Sequence, residues 1–177
     1  MKVKGIIDED FTNYKYPSMF IAMPQCNFKC DRENGCQYCQ NAALVHEPDI
    51  EISKETLIER FMLNPITKAI VFGGLEPLDS PVELVGFIDC ARRQYHCMAP
   101  IVIYTGYTEE EVVSGHFKED NSALKTIIDF ILSQPNIVFK FGRFRPNQEP
   151  HHDEVLGVKL ASDNQYGKEF NFNCDLP

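Results

Sequence analysis

Short apolar runs alternate with amphipathic segments along this chain. Four runs rich in β-branched and aromatic residues predict strands covered on both faces, at 18–23, 68–72, 100–105 and 136–141. Apolar residues recur at helical spacing between them and predict helices over 53–63 and 121–133. This alternation indicates an α/β fold, in which right-handed βαβ units form a parallel sheet that is open or partly closed into a (β/α) barrel.

Two helix starts carry additional signals. The segments 80–83 (Ser-Pro-Val-Glu) and 108–111 (Thr-Glu-Glu-Glu) both place a hydroxyl residue three positions before a glutamate, which is the spacing of a capping box. We therefore expect a helix to begin in each segment. Cys90 and Cys97 are expected to pack as small apolar groups within the first of these helices.

Loops that follow the predicted strands are the expected binding side of the molecule, because parallel α/β sheets bind ligands at the carboxyl ends of their strands. A cysteine-rich segment, 26–41, follows the first predicted strand. Gly73, Gly74 and Glu76 follow the second strand, and Thr105 ends the third. These loops would meet at one edge of the sheet.

Composition narrows the class of protein. The chain has 177 residues, of which 44% are hydrophobic and 24% charged, and this predicts one globular domain, 1–177. A formal net charge of -9 without a run of Lys or Arg argues against nucleic acid and anionic membranes as partners. The first ten residues turn acidic before an apolar signal segment forms, and no apolar stretch approaches the ~20 residues of a spanning helix. We therefore expect a cytoplasmic protein with reduced thiols.

Four of the seven cysteines lie close together, at Cys26, Cys30, Cys36 and Cys39. The odd total and the reducing compartment argue against a disulfide framework and favour a metal or cluster site. Structural zinc sites usually combine two separated pairs of ligands, whereas thiolates from one loop suit a [4Fe–4S] cluster, so we favour the cluster and keep zinc open. A cluster bound by four cysteines could serve only in electron transfer, whereas a cluster bound by three cysteines would have one iron open for a substrate.

Several blocks resemble the radical S-adenosylmethionine (SAM) superfamily. Cys26, Cys30 and Cys39 resemble its Cys-x3-Cys-x2-Cys signature, with an aromatic residue before the last cysteine and an inserted stretch at 31–36. Three further blocks resemble family motifs in the same order: the Gly-Gly-acid-Pro loop at 70–78, the Tyr-Thr-Gly-Tyr strand end at 103–107 and the C-terminal region at 156–165. The likeness is strongest to the activating proteins of anaerobic (class III) ribonucleotide reductases.

The resemblance implies both a site and a chemistry. Cys26, Cys30 and Cys39 would hold a [4Fe–4S] cluster whose open iron binds SAM, and an electron from the cluster would cleave SAM to a 5′-deoxyadenosyl radical. In the activating proteins this radical takes hydrogen from a backbone glycine of a glycyl radical enzyme, which here would be the large subunit of an anaerobic ribonucleotide reductase. A flavodoxin- or ferredoxin-like protein would supply the electron.

The same resemblance assigns contacts with SAM to six further residues: Gly73, Gly74, Glu76, Tyr38, Thr105 and Asn164. The glycines would let the backbone approach the ligand, and the carboxylate would pair with the ammonium group of SAM. The tyrosine would lie near the adenine, and the last two residues would contribute hydrogen bonds.

Other functions stay open at this point. All four clustered cysteines would bind the cluster in an electron-transfer protein, and a zinc ion would replace it in a binding module without chemistry. A radical SAM enzyme with another peptide or a nucleotide as substrate would share the same motifs. The glycine pair would serve equally as a tight turn, and Glu76 as a solvated side chain.

Overall fold

The computed structural model describes residues 1–35, 37, 39–115 and 122–170. Ten strands lie in this part of the chain: β1 (Lys2–Val3), β2 (Gly5–Asp10), β3 (Ser18–Met23), β4 (Ile50–Glu51), β5 (Ala69–Gly74), β6 (Ile101–Tyr104), β7 (Ile137–Phe141), β8 (His151–Asp153), β9 (Val158–Leu160) and β10 (Tyr166–Phe170). Five α-helices accompany them: α1 (Lys29–Asn34), α2 (Lys54–Leu63), α3 (Pro81–Asp89), α4 (Glu109–Ser114) and α5 (Ser122–Leu132). Short 3-10 helices occupy Ala42–His46 and Pro77–Asp79, and a π-helical turn, Cys90–Gln94, continues α3.

Six strands form the central sheet, in the order β10-β7-β6-β5-β3-β2. The strands β3, β5, β6 and β7 run parallel to one another. They are the four strands that the apolar runs predict, with ends that differ by at most two residues. The predicted α/β class and the parallel centre of the sheet are therefore confirmed.

The two edge strands run in the opposite direction. β2 pairs antiparallel with β3, and β10 pairs antiparallel with β7, so the sheet is mixed, and the predicted parallel arrangement holds only for its four central strands. Both edge strands carry charged residues and leave much of their surface exposed. A charged strand at an edge lacks the apolar run that marks a buried strand, which explains why the hydrophobic pattern does not predict it.

Helix starts follow the sequence signals in part. Thr108 Oγ1 accepts a hydrogen bond from Glu111 N, and Thr108 N donates one to Glu111 Oε2, which completes the predicted capping box of α4. The helix α3 begins at Pro81 as expected, but the side chain of Ser80 makes no capping hydrogen bond, so that detail of the prediction is wrong. The helical segment after α3 ends at Gln94. Cys97 is buried as predicted but lies outside a helix.

Apolar clusters cover both faces of the parallel strands. On one face, residues such as Ile70 and Phe72 pack with the apolar sides of α2, α3 and α5. On the other face, Val71 and its neighbours pack with Leu156, which lies between β8 and β9, and with Leu160 at the end of β9. The strands are thus covered on both sides, and their carboxyl ends are where polar side chains collect. In the described part of the chain, the helices are too short or too polar to cross a membrane.

Candidate functional site

Loops after all four parallel strands meet at the carboxyl edge of the sheet, and the sequence predicts this for the loops after the first three. Glu76 N, after β5, donates a hydrogen bond of 2.9 Å to Gln25 O, after β3. Gly142 N, after β7, donates one of 3.0 Å to Tyr107 O, after β6. These backbone bonds join the loops in pairs and bring the predicted motifs together.

Asn27 anchors the start of the cysteine-rich segment. Its backbone N donates to Asp79 Oδ2 over 2.7 Å, and its side-chain Nδ2 donates to Tyr107 OH over 2.6 Å. Tyr107 OH in turn donates to Asp79 Oδ1 over 3.0 Å. The buried Asp79 side chain therefore connects three of the loops: it follows β5, and its partners follow β3 and β6.

Cys26, Cys30 and Cys39 are partly exposed free thiols around this edge. Cys30 lies against the loop after β6, since a Cβ atom built on Gly106 would be 3.0 Å from Cys30 Sγ. Cys39 lies further along the segment, where its backbone N donates to Asp31 Oδ1 over 3.0 Å. Among the residues that the structure describes, no group of three Cys, His, Asp or Glu side chains is close enough to hold a metal ion.

The three thiols hold their protons in this arrangement. Burial raises the pKa of Cys26 to about 12, although Phe28 N donates a hydrogen bond of 3.3 Å to its sulfur. Burial also raises the pKa of Cys30 and of Cys39. Metal binding would release these protons.

Glu76 occupies the centre of the edge and is 8% exposed, so the alternative of a solvated side chain is wrong. Its Oε1 accepts hydrogen bonds from Thr105 Oγ1 over 2.8 Å and from Leu78 N over 3.1 Å. Its Oε2 accepts one from Gly106 N over 2.8 Å. Burial raises the pKa of Glu76 to about 7 against the effect of these donors. The carboxyl group thus ties the loop after β5 to the loop after β6, and its predicted pairing with an ammonium group stays a prediction.

Gly73 and Gly74 are required by the packing of β5 against β3. A Cβ atom on Gly73 would lie 2.9 Å from the ring of Phe20, and one on Gly74 would lie 2.9 Å from Ala22 Cβ. Gly74 O accepts a hydrogen bond of 2.8 Å from Asn41 Nδ2 in the cysteine-rich segment. Close approach between two strands accounts for the glycine pair, and a contact with SAM stays a prediction.

Thr105 and Asn164 lie at the same edge. Thr105 is buried and its hydroxyl is engaged by Glu76 and by Tyr107 N. Asn164 Nδ2 donates to Arg143 O over 3.0 Å, while Asn164 Oδ1 is buried without a hydrogen-bond partner in the described structure. A buried acceptor of this kind is unusual and suits a donor from a ligand.

Cationic side chains lie near Cys30. Arg143 Nη2 lies 2.6 Å from Glu111 Oε1, and Lys29 Nζ lies 2.5 Å from the same oxygen. Lys140 projects from β7 and is 7% exposed. Burial lowers the pKa of Lys140 to about 8, and the nearby Cys30 and Glu76 oppose that effect. The site therefore places positive charge beside the thiol of Cys30.

Sequence reasoning did not single out several of these groups. The hydrogen bonds by which Asp79 connects the loops, and the ion pairs of Glu111, join residues that are distant in sequence. They are therefore seen only in the folded structure. Lys140 carried a signal, since it is a lone charge within the otherwise apolar run of β7. Tyr38 and Cys36 lie outside the described residues.

Comparisons of this chain with protein-family models, with curated proteins and with solved structures found no match.

The donor set suits an iron–sulfur cluster in its chemistry. Three thiols come from one segment, backbone N–H groups point at their sulfurs, and cations lie beside Cys30, but among the described residues no three such ligands are close enough to hold a metal ion. A bound cluster would additionally require Cys39 to approach Cys26 and Cys30.

Proposed function

We propose that this chain is a cytoplasmic radical SAM enzyme of the type that activates a glycyl radical enzyme. The observation that supports the proposal is the docking of the Cys26–Cys30 turn onto the Gly-Gly-Leu-Glu-Pro and Tyr-Thr-Gly-Tyr loops. That docking occurs at the carboxyl edge of four parallel strands, and the buried Glu76 lies between the loops. In this proposal the parallel strands belong to an open (β/α) barrel.

The protein's own residues would bind and position the cofactors. Cys26, Cys30 and Cys39 would hold a [4Fe–4S] cluster and release their thiol protons on binding. When bound, this cluster supplies the electron with which SAM is cleaved to give a carbon-centred radical. Glu76 fixes the position of Thr105 and Gly106 beside Cys30, and Asn164 Oδ1 offers an acceptor to the ligand.

A protein substrate suits the exposed side of this site. The helix α1, which carries Cys30, has no buried residue, so one flank of the cysteine-rich segment faces outward. A docking protein can reach such a surface, whereas a small molecule would need an enclosing cavity. We therefore propose the large subunit of an anaerobic ribonucleotide reductase as substrate and a flavodoxin- or ferredoxin-like protein as electron donor.

The proposal is tested by anaerobic reconstitution with iron and sulfide, followed by reduction with dithionite in the presence of SAM. We expect 5′-deoxyadenosine and methionine to form in equal amounts. Cys26→Ala, Cys30→Ala and Cys39→Ala should each abolish this product, and Cys36→Ala should retain it. Cys97→Ala is the matched control, because Cys97 precedes β6 and lies at the opposite end of that strand from the site.

Three outcomes would contradict the proposal. A protein that binds one equivalent of zinc and no iron would be a zinc-stabilised module. A cluster that is lost in all four variants of the segment and does not respond to SAM would indicate an electron carrier. Product formation without a SAM-dependent glycyl radical signal, after addition of the reductase subunit, would indicate another substrate.

A further inference from the structure

A groove lies between the edge strand β2 and the helix α2, at the end of the molecule away from the cysteines. Asp10, the last residue of β2, pairs with Ser18, the first residue of β3, and α2 precedes β5 in the chain. The groove therefore lies near the amino ends of the parallel strands, whereas the cysteine-rich segment follows their carboxyl ends. A molecule bound in the groove would leave the candidate site open.

The groove has a volume of about 540 Å³, and both elements line it. An ion pair between Arg60 of α2 and Asp8 of β2 joins the two walls. A hydrogen bond of 3.3 Å from Asn64 Nδ2 to Glu9 Oε1 joins them a second time. Leu63, the last residue of α2, also lines the groove and is 83% exposed. The walls are thus held together, and an apolar side chain stands open to a partner.

Unpaired carboxylates give the groove an excess of negative charge. Among its lining residues that the structure describes, Arg60 is the single cation, and it already pairs with Asp8. Glu9 and Glu59 are exposed and have no ion-pair partner within the described part of the chain. Lys68, which follows α2, donates over 2.8 Å to a backbone carbonyl and pairs with neither glutamate. The charge of the groove is therefore complementary to a basic ligand.

The outer edge of β2 is the second feature of this surface. Among the described strands, β2 pairs only with β3, so backbone groups on its other side are available to another strand. Ile6 packs with the core cluster that includes the apolar residues of α2. Its neighbour Ile7 therefore faces the opposite side of the sheet, where it is 51% exposed. A strand added to β2 would meet the acidic groove on one face and an apolar side chain on the other.

A second copy of this chain is poorly suited to this edge. Residues 8–10 are Asp-Glu-Asp, so two β2 strands side by side would bring like charges together. Each copy also carries a formal net charge of -9. The register between β2 and β3 shifts between Ile7 and Asp10, and irregular, charged edges of this kind oppose the joining of two sheets. The same charges attract a basic strand.

We propose that this groove docks an extended segment of a partner protein in which basic and apolar residues alternate. The lysine or arginine side chains face Glu9 and Glu59, with their methylene groups against Leu63. The apolar side chains between them pack with Ile7, and backbone hydrogen bonds to β2 hold the segment in place. The docking uses none of the cysteines, so its test is independent of the proposed function.

The test measures binding of the fluorescein-labelled peptide Lys-Val-Lys-Val-Lys-Val to the full chain by fluorescence anisotropy. We expect Glu9→Lys combined with Glu59→Lys to weaken binding by about tenfold or more. Glu149→Lys combined with Asp163→Lys is the control, because it changes the net charge equally at two exposed positions outside the groove, and it should bind like the parent. The peptide Glu-Val-Glu-Val-Glu-Val should bind the first double variant more tightly than the parent, which shows that this variant is folded.

Two further comparisons separate specific docking from general charge attraction. Leu63→Ser should weaken binding by about threefold to tenfold, whereas Val82→Ser, at a position of α3 that is 67% exposed, should not change it. A peptide of the same composition without alternation, Lys-Lys-Lys-Val-Val-Val, should bind more weakly. Hydrogen exchange should show slower amides in β2 on binding and unchanged amides in β10, the strand at the opposite edge.

The outcomes decide the proposal. Absence of binding to the parent, or equal binding to the groove variants and their controls, would overturn it. Protection of β10 in place of β2 would overturn it as well. A parent protein that sediments as a dimer with protected β2 amides would show that a second copy occupies the edge, against the proposal.

Discussion

At the scale of single residues, the loops at the carboxyl edge of the sheet pack closely against one another. Cys30 Sγ fits against the open side of Gly106, and Asp79 satisfies both Asn27 and Tyr107. Each of these contacts joins parts of the chain that are far apart in sequence. Single substitutions here should therefore affect the cysteine-rich segment as well as overall stability.

Gly106→Ala should destabilise the fold by about 1 kcal/mol, because its Cβ would lie 3.0 Å from Cys30 Sγ and the cysteine must shift. It should also lower the iron content after reconstitution. Gly86→Ala is the matched control, since it lies within α3 and its Cβ would have Lys54 Nζ, at 3.7 Å, as its closest contact. That change should stabilise the helix by about 0.5–1 kcal/mol. Equal unfolding midpoints in urea for the two variants would contradict this view of Gly106.

Asp79→Asn should destabilise the protein by about 1–3 kcal/mol. Both carboxylate oxygens of Asp79 accept hydrogen bonds, and the substitution would replace one of these oxygens with an N–H₂ donor. Loosening of Asn27 should expose Cys26, so we expect faster alkylation of Cys26 by iodoacetamide, measured by peptide mass spectrometry. Asp163→Asn, at an exposed position, should leave the free energy of unfolding within about 0.5 kcal/mol of the parent. Unchanged alkylation of Cys26 in Asp79→Asn would count against the anchoring role.

At the scale of secondary-structure elements, Glu111 joins three parts of the site. It belongs to α4, it pairs with Lys29 of α1, and it accepts two hydrogen bonds from Arg143 in the loop after β7. Burial would raise the pKa of Glu111, but the hydrogen bonds from Arg143 and Lys29 outweigh it and lower the pKa to about 2. The ionised carboxylate therefore stabilises the folded state by holding α1 in place.

This lowered pKa predicts a defined pH dependence. A carboxyl group whose pKa is lowered on folding stabilises the protein above its unfolded pKa, near 4.5, and loses that contribution as pH falls through about 2. Glu111→Gln should therefore reduce the free energy of unfolding by about 1–3 kcal/mol at pH 7 and by progressively less toward pH 2. Urea unfolding across this range measures the difference.

Glu110→Gln is the control for that series, because Glu110 is the exposed neighbour on the same helix. It removes the same charge at almost the same place and should change stability by less than about 0.5 kcal/mol at each pH. A pH-independent difference between Glu111→Gln and the parent would show that the ion pairs do not stabilise the fold.

At the scale of the whole molecule, stability should be greatest in the middle of the sheet. The residues of β5 and β7 are almost entirely buried, and β3 and β6 lie between other strands. The helix α1 has no buried residue, and the β1–β4 pair has only two residues in each strand. Opening α1 would therefore expose little apolar surface, whereas opening the central strands requires global unfolding.

Native-state hydrogen exchange tests this distribution. We expect the slowest amides in β3, β5, β6 and β7, with protection close to the global free energy of unfolding. The amides of α1 and of the β1–β4 pair should exchange much faster in the protein without cofactor. Comparable protection of α1 and β5 would mean that the cysteine-rich segment is held more firmly than its contacts indicate.

Much of the fold follows from the pattern of apolar residues, but the edges of the sheet do not. The runs that became β3, β5, β6 and β7 are apolar because both faces of these strands are covered. β2 and β10 have one open edge and charged sequences, so neither periodicity nor composition marks them. Ser80 shows a similar limit, since its capping signal predicts where α3 begins but not the bonds that its side chain makes.

The candidate site, like the fold, could be predicted from the sequence only in part. Its loops could be predicted because parallel strands bring their carboxyl ends to one edge, and Cys26, Cys30, Glu76 and Thr105 indeed lie there. Local sequence could not show that Glu76 is buried among three donors or that Gly73 and Gly74 accommodate β3. Those properties depend on which residues arrive from distant parts of the chain.

By itself, the sequence determined the four buried parallel strands, their alternation with helices and the collection of cysteines and polar loops at one edge, because these follow from local periodicity and chain direction. Only the tertiary structure decided the antiparallel edge strands, the anchoring of the cysteine-rich segment by Asp79 and the burial of Glu76 against the loop after β6. Burial and charge at those positions arise from long-range packing, which no short stretch of sequence encodes.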